Sequence, residues 1–260
     1  MTELRVGLVG LGSVCAGVHY PGLARVSGVR VAAVCDIDGE RLRQRQQEWG
    51  VEQGYARIED MLPAAQLDAV VIATPNDAHP GLVRQALAAG CHVLCEKPLA
   101  LDAGSAERMY RTGVASGRRH MTALTYRFVP AMRYLHHLVQ QGDLGELRHA
   151  RFQRLQDWGE GPIGWRQYRS RAGIGELGDM GIHRIDLAES LLGPISHVTA
   201  AMRQVVPRDR TTAGAACAPQ DVEDWVAWIA EFEGGATGVF EMGKLTRGRG
   251  PSGDHDVAEI

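Results

Sequence analysis

The sequence predicts an α/β chain in two parts. A doubly wound parallel sheet is expected over residues 1–124, followed over residues 125–260 by an α+β domain with a large, mainly antiparallel open sheet, shortened at its C-terminus. Three observations predict this. Short apolar runs alternate with helical patterns four times before residue 97, the rhythm of parallel strands joined by helical crossovers. The first run ends in a glycine-rich turn that opens a helix. After about residue 124 the alternation gives way to longer, more polar strands.

Residues 5–9 (RVGLV) form the first strand and run into Gly10-Leu11-Gly12-Ser13-Val14-Cys15, a G-x-G-x-x-small turn. The first glycine allows the tight turn, the second lets a diphosphate approach the backbone, and the third position must be small for helix–strand packing. Cys15 stands where Gly or Ala is usual. Gly10, Gly12, Ser13 and Val14 are therefore candidate cofactor contacts. The second strand, residues 29–35 (VRVAAVC), ends at Asp36, 26 residues after Gly10. An acid there accepts hydrogen bonds from the adenosine ribose hydroxyls and repels a 2′-phosphate, so NAD is expected over NADP. The alternative for Asp36 is a turn or helix N-cap, a role Asp38 fills equally well.

Residues 40–49 read as a polar helix, and residues 58–62 start another. Residues 67–74 (LDAVVIAT) are the third clear strand, ending in Pro75-Asn76-Asp77-Ala78-His79-Pro80. Asn76 can cap the next helix, residues 81–89, and Pro80 suits its first turn, with Gly90 as its stop. A buried strand around Val93, Leu94 and Cys95 then ends abruptly in Glu96-Lys97-Pro98. Ligands of open α/β sheets sit beyond such strand ends. Pro98 restrains the Lys97 backbone, and the lysine can present its ammonium to a substrate oxygen. Taken alone, a Lys-Pro pair reads as readily as a surface lysine.

Composition narrows the function classes. The 260 residues suit one large domain or two modest ones, and 45% apolar content can build sizeable cores. With net charge −3 and no charged block, nucleic-acid binding is not expected. Arg41, Arg43 and Arg45, like Arg118 and Arg119, read as solvated helix faces and turns. No run of 18 apolar residues exists, so no membrane span is expected. A strand begins at Leu4 with no cationic leader before it, which predicts a cytoplasmic protein. The five cysteines have no metal-site spacing and are expected as buried free thiols, with no disulfide framework.

Ala73-Thr74-Pro75-Asn76-x-x-His79, with Glu96-Lys97-Pro98 downstream, resembles the glucose–fructose oxidoreductase and inositol dehydrogenase (Gfo/Idh/MocA) family, in its sugar or cyclitol dehydrogenase branch. The resemblance implies an NAD(P)-binding Rossmann domain over residues 1–124 and a substrate-binding and oligomerisation domain over residues 125–260. It implies cofactor contacts at Ala73, Thr74, Pro75, Asn76, His79, Glu96 and Lys97. It also implies a cis Lys97–Pro98 bond and a hydrogen bond from the lysine to the reacting hydroxyl.

In the second half, a helix over residues 102–116 leads to a strand over residues 120–125 that closes the first sheet. Tyr126-Arg127-Phe128-x-Pro130 opens a helix over residues 131–140, and a turn over residues 142–146 leads into a strand over residues 147–155. A glycine-rich run, residues 173–178, precedes a helix from Asp179. Asp179 and His183 are i and i+4 there and share one face, while Met180, Leu187 and Leu191 fit the core side. A histidine suits removal of a hydroxyl proton near neutral pH, and a nearby carboxylate can bind an adjacent hydroxyl or orient the imidazole. The plainer readings are a helix-start aspartate and a satisfied core histidine.

D-x-x-x-H after a glycine-rich run is the family's second signature, so the resemblance implies a Lys97–Asp179–His183 catalytic set. It places Arg127 and Trp158 with the substrate. In levoglucosan- and inositol-dehydrogenase-like members the segment 155–158 and the pair Trp165-Arg166 lie near cofactor and substrate; interdomain packing and a surface ion pair are the equal alternatives.

Residues 224–232 and 237–242 read as a β-hairpin with two apolar faces, one for the helices and one for a partner subunit. Family members usually associate through this sheet, so a homo-oligomer, dimer or tetramer, is expected from the resemblance. Residues 255–260 resemble a strand that relatives follow with further strands and a helix. A shortened member or a truncated product is expected, with an open sheet edge as a pairing hazard.

The reading is a cytoplasmic NAD-dependent oxidoreductase moving hydride between a secondary alcohol of a sugar, sugar derivative or cyclitol and the nicotinamide. Two rivals stand beside it. An NAD-using glycoside hydrolase on the same fold is disfavoured by the intact Glu96-Lys97-Pro98. An inactive nucleotide-bound sensor or truncated product is disfavoured by retention of Lys97, Asp179 and His183 and favoured by the short C-terminus.

Overall fold

The computed structural model describes residues 3–161, 163–211, 214–249 and 256–260. The chain divides into two compact units, Met1–Ala123 and Leu124–Ile260.

The first unit contains β1 (Leu4–Val9), a π-helical turn (Cys15–His19) running into α1 (Tyr20–Leu23), β2 (Val29–Cys35), α2 (Gly39–Trp49), β3 (Gln53–Tyr55) and α3 (Ile58–Ala65). It continues with β4 (Ala69–Ile72), α4 (His79–Ala88), β5 (His92–Cys95), α5 (Ala103–Ser116) and β6 (His120–Thr122). The sheet order is β3-β2-β1-β4-β5-β6, and every neighbouring pair is parallel. Strand order reverses between β1 and β4, which is where open α/β sheets bind ligands.

Parallel strands covered on both faces must be apolar throughout. Val9, Ile72 and Val93 accordingly bury against α3 and α4, and Leu8, Val34 and Val71 against Leu42 of α2. Asp38 caps α2 by accepting from the Glu40 and Arg41 amides, and Asp102 caps α5 through the Ser105 amide. The helix after β4 begins at His79 with Ala78 at its N-cap. Asn76 therefore stands in a preceding 3₁₀ turn (Asn76–Ala78) and does not take the expected cap position. Strand β3, only three residues (QGY) with a glycine at its centre, carries no apolar run and escaped the pattern.

The second unit contains α6 (Pro130–Gln141), β7 (His149–Leu155), α7 (Arg169–Ala172), α8 (Ile182–Leu192), β8 (Ile195–Arg203), β9 (Trp225–Phe232), β10 (Thr237–Gly243) and β11 (Asp256–Glu259). The sheet order is β11-β7-β10-β9-β8; β7 and β10 pair in parallel and the rest antiparallel. One face carries Phe152, Val226, Trp228, Ala230 and Phe240, buried with Leu187, Ala188 and Leu191 of α8. Trp228 stacks on Phe240 at 4.5 Å between ring centroids. On the other face Ile229 and Val239 are exposed. The expected helix from Asp179 is corrected: Leu177–Gly181 is a π-helical turn, and α8 begins only at Ile182. Strand β8, exposed along its length and at the sheet edge, has no period-2 apolar signal to betray it. Strand β11 falls within residues 255–260 as expected, His255 itself lying outside the described residues.

Candidate active site

The first unit gathers its candidate residues at the C-terminal ends of β1, β2, β4 and β5. Gly10 takes φ +83°, and a Cβ there would lie 2.7 Å from the Ala73 carbonyl oxygen and 2.8 Å from Thr74 Cγ2. Only glycine fits this crossing of two strand ends. A Cβ on Gly12 would meet nothing within 4 Å, so the space above that backbone is open. Ser13 is exposed beside it. Cys15 is 1% exposed in the core, as the small third position requires. Burial pushes its thiol up to about 12, with Asp36 and Glu96 adding to the rise against Arg45, so it packs as an apolar group.

Asp36 is buried, and its Oδ2 accepts from the Leu11 amide at 2.8 Å while Oδ1 accepts from the Asp38 amide at 2.9 Å. Asp36 thus braces the glycine turn, and Asp38 is the helix cap. Thr74 Oγ1 is buried without a protein hydrogen-bond partner. The open cradle over Gly12, the acid against the turn and the Thr74 hydroxyl all fit a dinucleotide.

The loops after β4 and β5 are tied to each other. His79 is fully buried, with Nε2 3.1 Å from the Thr74 carbonyl and Nδ1 3.0 Å from the Pro98 carbonyl. Burial holds its pKa below the ordinary range against the pull of those carbonyls, so the neutral ring donates to one of them. Sequence reasoning put His79 among the cofactor contacts; its buried ring braces the loops after β4 and β5. Lys97–Pro98 is cis. Glu96 Oε1 accepts from His19 Nε2 at 2.8 Å, and Oε2 accepts from the Lys97 amide at 3.1 Å. Burial opposes ionisation of Glu96, but His19, through hydrogen bond and charge, together with Lys97 holds the carboxyl below its ordinary range. Lys97 is thus fixed at its own amide, beside a cis proline, with its side chain half-buried. His19 was missed because nothing in the sequence separates it from a helix-surface histidine.

In the second unit the π-turn carries Asp179 and leads to His183, which is buried at 5% exposure. Its imidazole meets the Tyr126 ring at 4.9 Å, tilted 46°. Tyr126 also meets Arg184, whose guanidinium carbon lies 4.2 Å from the ring centre, while its hydroxyl donates to Asp256 Oδ2 at 2.9 Å and accepts from Arg154 Nη1 at 3.0 Å. Arg166 approaches Asp179 Oδ2 at 3.8 Å and stacks on Trp165 at 4.4 Å, so Trp165, Arg166 and Asp179 form one group. Glu223 fixes the glycine-rich segment, accepting from the Gly175 amide at 2.9 Å and the Leu177 amide at 3.0 Å. Asp224, beside it, is fully buried with Arg208, Gln220 and Lys244. Arg127 is committed to Asp186, with Nε 2.7 Å from Oδ2, and that pairing holds the guanidinium pKa above its ordinary range. Trp158 donates to Gln156 and lies 5.7 Å from Lys244 Nζ. Tyr126 and Glu223 were not singled out from sequence, since their partners are remote along the chain. Among the described residues no cluster suits a metal ion, and no helix is long and apolar enough to cross a membrane.

A strand-order reversal flanked by a glycine turn and an acid is the arrangement of a dinucleotide-binding doubly wound fold. The model of an oxidoreductase family with an NAD-binding Rossmann fold matches residues 4–124, and that of the GFO/IDH/MocA C-terminal domain matches residues 132–256. The chain belongs to the Gfo/Idh/MocA oxidoreductase family. It is 31% identical to a levoglucosan dehydrogenase of Pseudarthrobacter phenanthrenivorans, over 83% of this chain and 59% of that protein. It is 30% identical to a D-apiose dehydrogenase of Paraburkholderia graminis, over 88% of this chain and 58% of that protein. The chain thus spans a little under three-fifths of the length of these relatives. A solved levoglucosan dehydrogenase in complex with NADH and levoglucosan superposes with a TM-score of 0.86 at 30% identity, covering 96% of this chain and 69% of that one.

Proposed function

We propose that this protein is an NAD-dependent dehydrogenase acting on a secondary alcohol of a sugar, sugar derivative or cyclitol. The observation that carries the reading is that the strand ends of one parallel sheet bear the open glycine turn, the buried Asp36 that braces it and the Lys97 amide held by Glu96. The glycine-turn amides and the helix dipole behind them hold the diphosphate, and Asp36 accepts from the adenosine ribose. When bound, the nicotinamide supplies the hydride acceptor. His183 takes the hydroxyl proton, Lys97 stabilises the oxygen as negative charge develops, and Asp179 holds the neighbouring hydroxyl. Trp165 and Arg166 line the site beside Asp179, with Arg127 and Trp158 towards the substrate. We further place the protein in the cytoplasm, where its five free thiols suit a reducing compartment, and as a homo-oligomer joined through the sheet face bearing Ile229 and Val239.

The experiment is NADH formation at 340 nm across inositols, aldoses and anhydrosugars. A rate that disappears in His183→Ala, while that variant still binds NADH, supports the reading. Silence across the panel from protein that binds NADH contradicts it.

A further inference from the structure

The helix-facing side of the second sheet is apolar along β9 and β10, but not where β7 ends and β11 begins. Ala150, Phe152 and Arg154 alternate onto that side of β7, and Ala258 and Asp256 stand opposite Phe152 and Arg154 in the β11 register. Phe152 and Ala258 pack with Leu187 and Leu191 of α8. Arg154 and Asp256 fall where that core would continue, and they form an ion pair there. Arg184 of α8, 1% exposed, brings a second guanidinium to the other oxygen of Asp256. A largely buried ion cluster often stabilises no more than apolar residues of the same volume, so its place in this core points to another role.

The cluster closes on Tyr126, in the 3₁₀ turn Thr125–Phe128. The Tyr126 hydroxyl donates to Asp256 and accepts from Arg154, so both hydrogen-bonding roles of the phenol are filled. The Arg184 guanidinium is close enough to the ring for cation–π attraction. A ring pinned at its hydroxyl and drawn to a cation cannot turn or slide without losing those contacts. This is the ring that meets the His183 imidazole at 4.9 Å and 46°. Asp256 thus reaches His183 through Tyr126, and also through Arg184, the next residue along α8.

We propose that Asp256 is a positioning residue for His183: by holding the Tyr126 hydroxyl it fixes the ring against which the imidazole is aligned. Neither Asp256 nor Tyr126 is assigned contact with the reacting atoms. The inference rests on the reading of His183 as the group that takes the hydroxyl proton, and it does not depend on which alcohol is oxidised. An imidazole released from that alignment is aimed at the hydroxyl for less of the time, so the loss falls on the chemical step and spares binding.

The test combines Asp256→Asn, Tyr126→Phe and the double variant, measured with any polyol that supports NADH formation in wild type. Each single change should lower kcat about tenfold, with KM for the alcohol and NADH affinity within about twofold of wild type. Tyr126→Phe keeps the ring and removes only the tether, so the double variant should lose no more than either single one. A lowered melting temperature with unchanged kcat would leave the cluster as a staple for β11 and overturn the inference, as would losses that multiply in the double variant. Should Asp256→Asn not fold, Tyr126→Phe, which leaves the ion cluster whole, decides alone. Wild type silent on every polyol contradicts the dehydrogenase reading beneath. In that protein the positioning is read from the His183 ring-proton resonances, assigned by their loss in His183→Ala. The Tyr126 ring current displaces these resonances, so Tyr126→Phe should shift them, and resonances left in place overturn the inference.

Discussion

His19 Nε2 and Glu96 Oε1 lie 2.8 Å apart, joining the helical turn after the glycine loop to the residue that holds the Lys97 amide. Both side chains are nearly buried, so neither end of the pair can turn to water if the other is lost. His19→Ala should cost about 1–3 kcal/mol of stability, the penalty of an unmet buried charged acceptor, read from urea unfolding.

The same pair sets a pH dependence. Glu96 is held below its ordinary carboxyl range in the folded state. Its contribution is therefore present above the unfolded pKa, about 4.3, and disappears as pH falls through the lower folded value. The wild-type melting temperature should decline more steeply below about pH 4.3 than that of Glu96→Gln. Parallel pH profiles for the two proteins would remove Glu96 from this role.

His79 should matter through packing. It is fully buried between the Thr74 and Pro98 carbonyls. His79→Ala leaves a cavity and an unmet carbonyl, for a loss of about 2–4 kcal/mol. A stability within experimental error of wild type would contradict the brace.

The fold was largely legible because its strongest signals are local. The apolar runs at β1, β2 and β5, the Asp102 cap and the glycine turn each follow from residues near in sequence. Strands β3 and β8 were not legible, one being too short and the other an exposed edge. The π-turn at Leu177–Gly181 was not legible either, because the residue pattern there does not separate it from the first turn of an α-helix. At the site, Lys97, Asp179 and His183 carried recognisable motifs. His19, Tyr126 and Glu223 act through partners 77, 57 and 48 residues away, and no local pattern encodes such pairings.

The glycine-rich segment before Asp179 offers a further test. A Cβ on Gly175 would lie 2.1 Å from the Glu223 carbonyl oxygen, a backbone atom that cannot swing aside. Gly175→Ala should therefore destabilise by about 1–3 kcal/mol, measured by thermal melting. An unchanged melting temperature would mean that this segment has slack that the structure does not contain.

Thiol reactivity should separate the cysteines. Burial pushes the thiols of Cys15 and Cys35 up to about 12, and it raises those of Cys91 and Cys95 as well. Cys217 is the one that is half-exposed. A thiol-disulfide reagent at pH 8 should modify Cys217 in the native protein and the other four only in denaturant. Rapid native modification of Cys15 would contradict its place in the core.

The most direct test of the central claim is turnover by Lys97→Met, measured with any polyol that supports NADH formation and set beside its affinity for NADH. A lysine that stabilises the developing alkoxide predicts a loss of kcat of about a hundredfold or more, with NADH bound nearly as in wild type. Unchanged kcat would take Lys97 out of the mechanism.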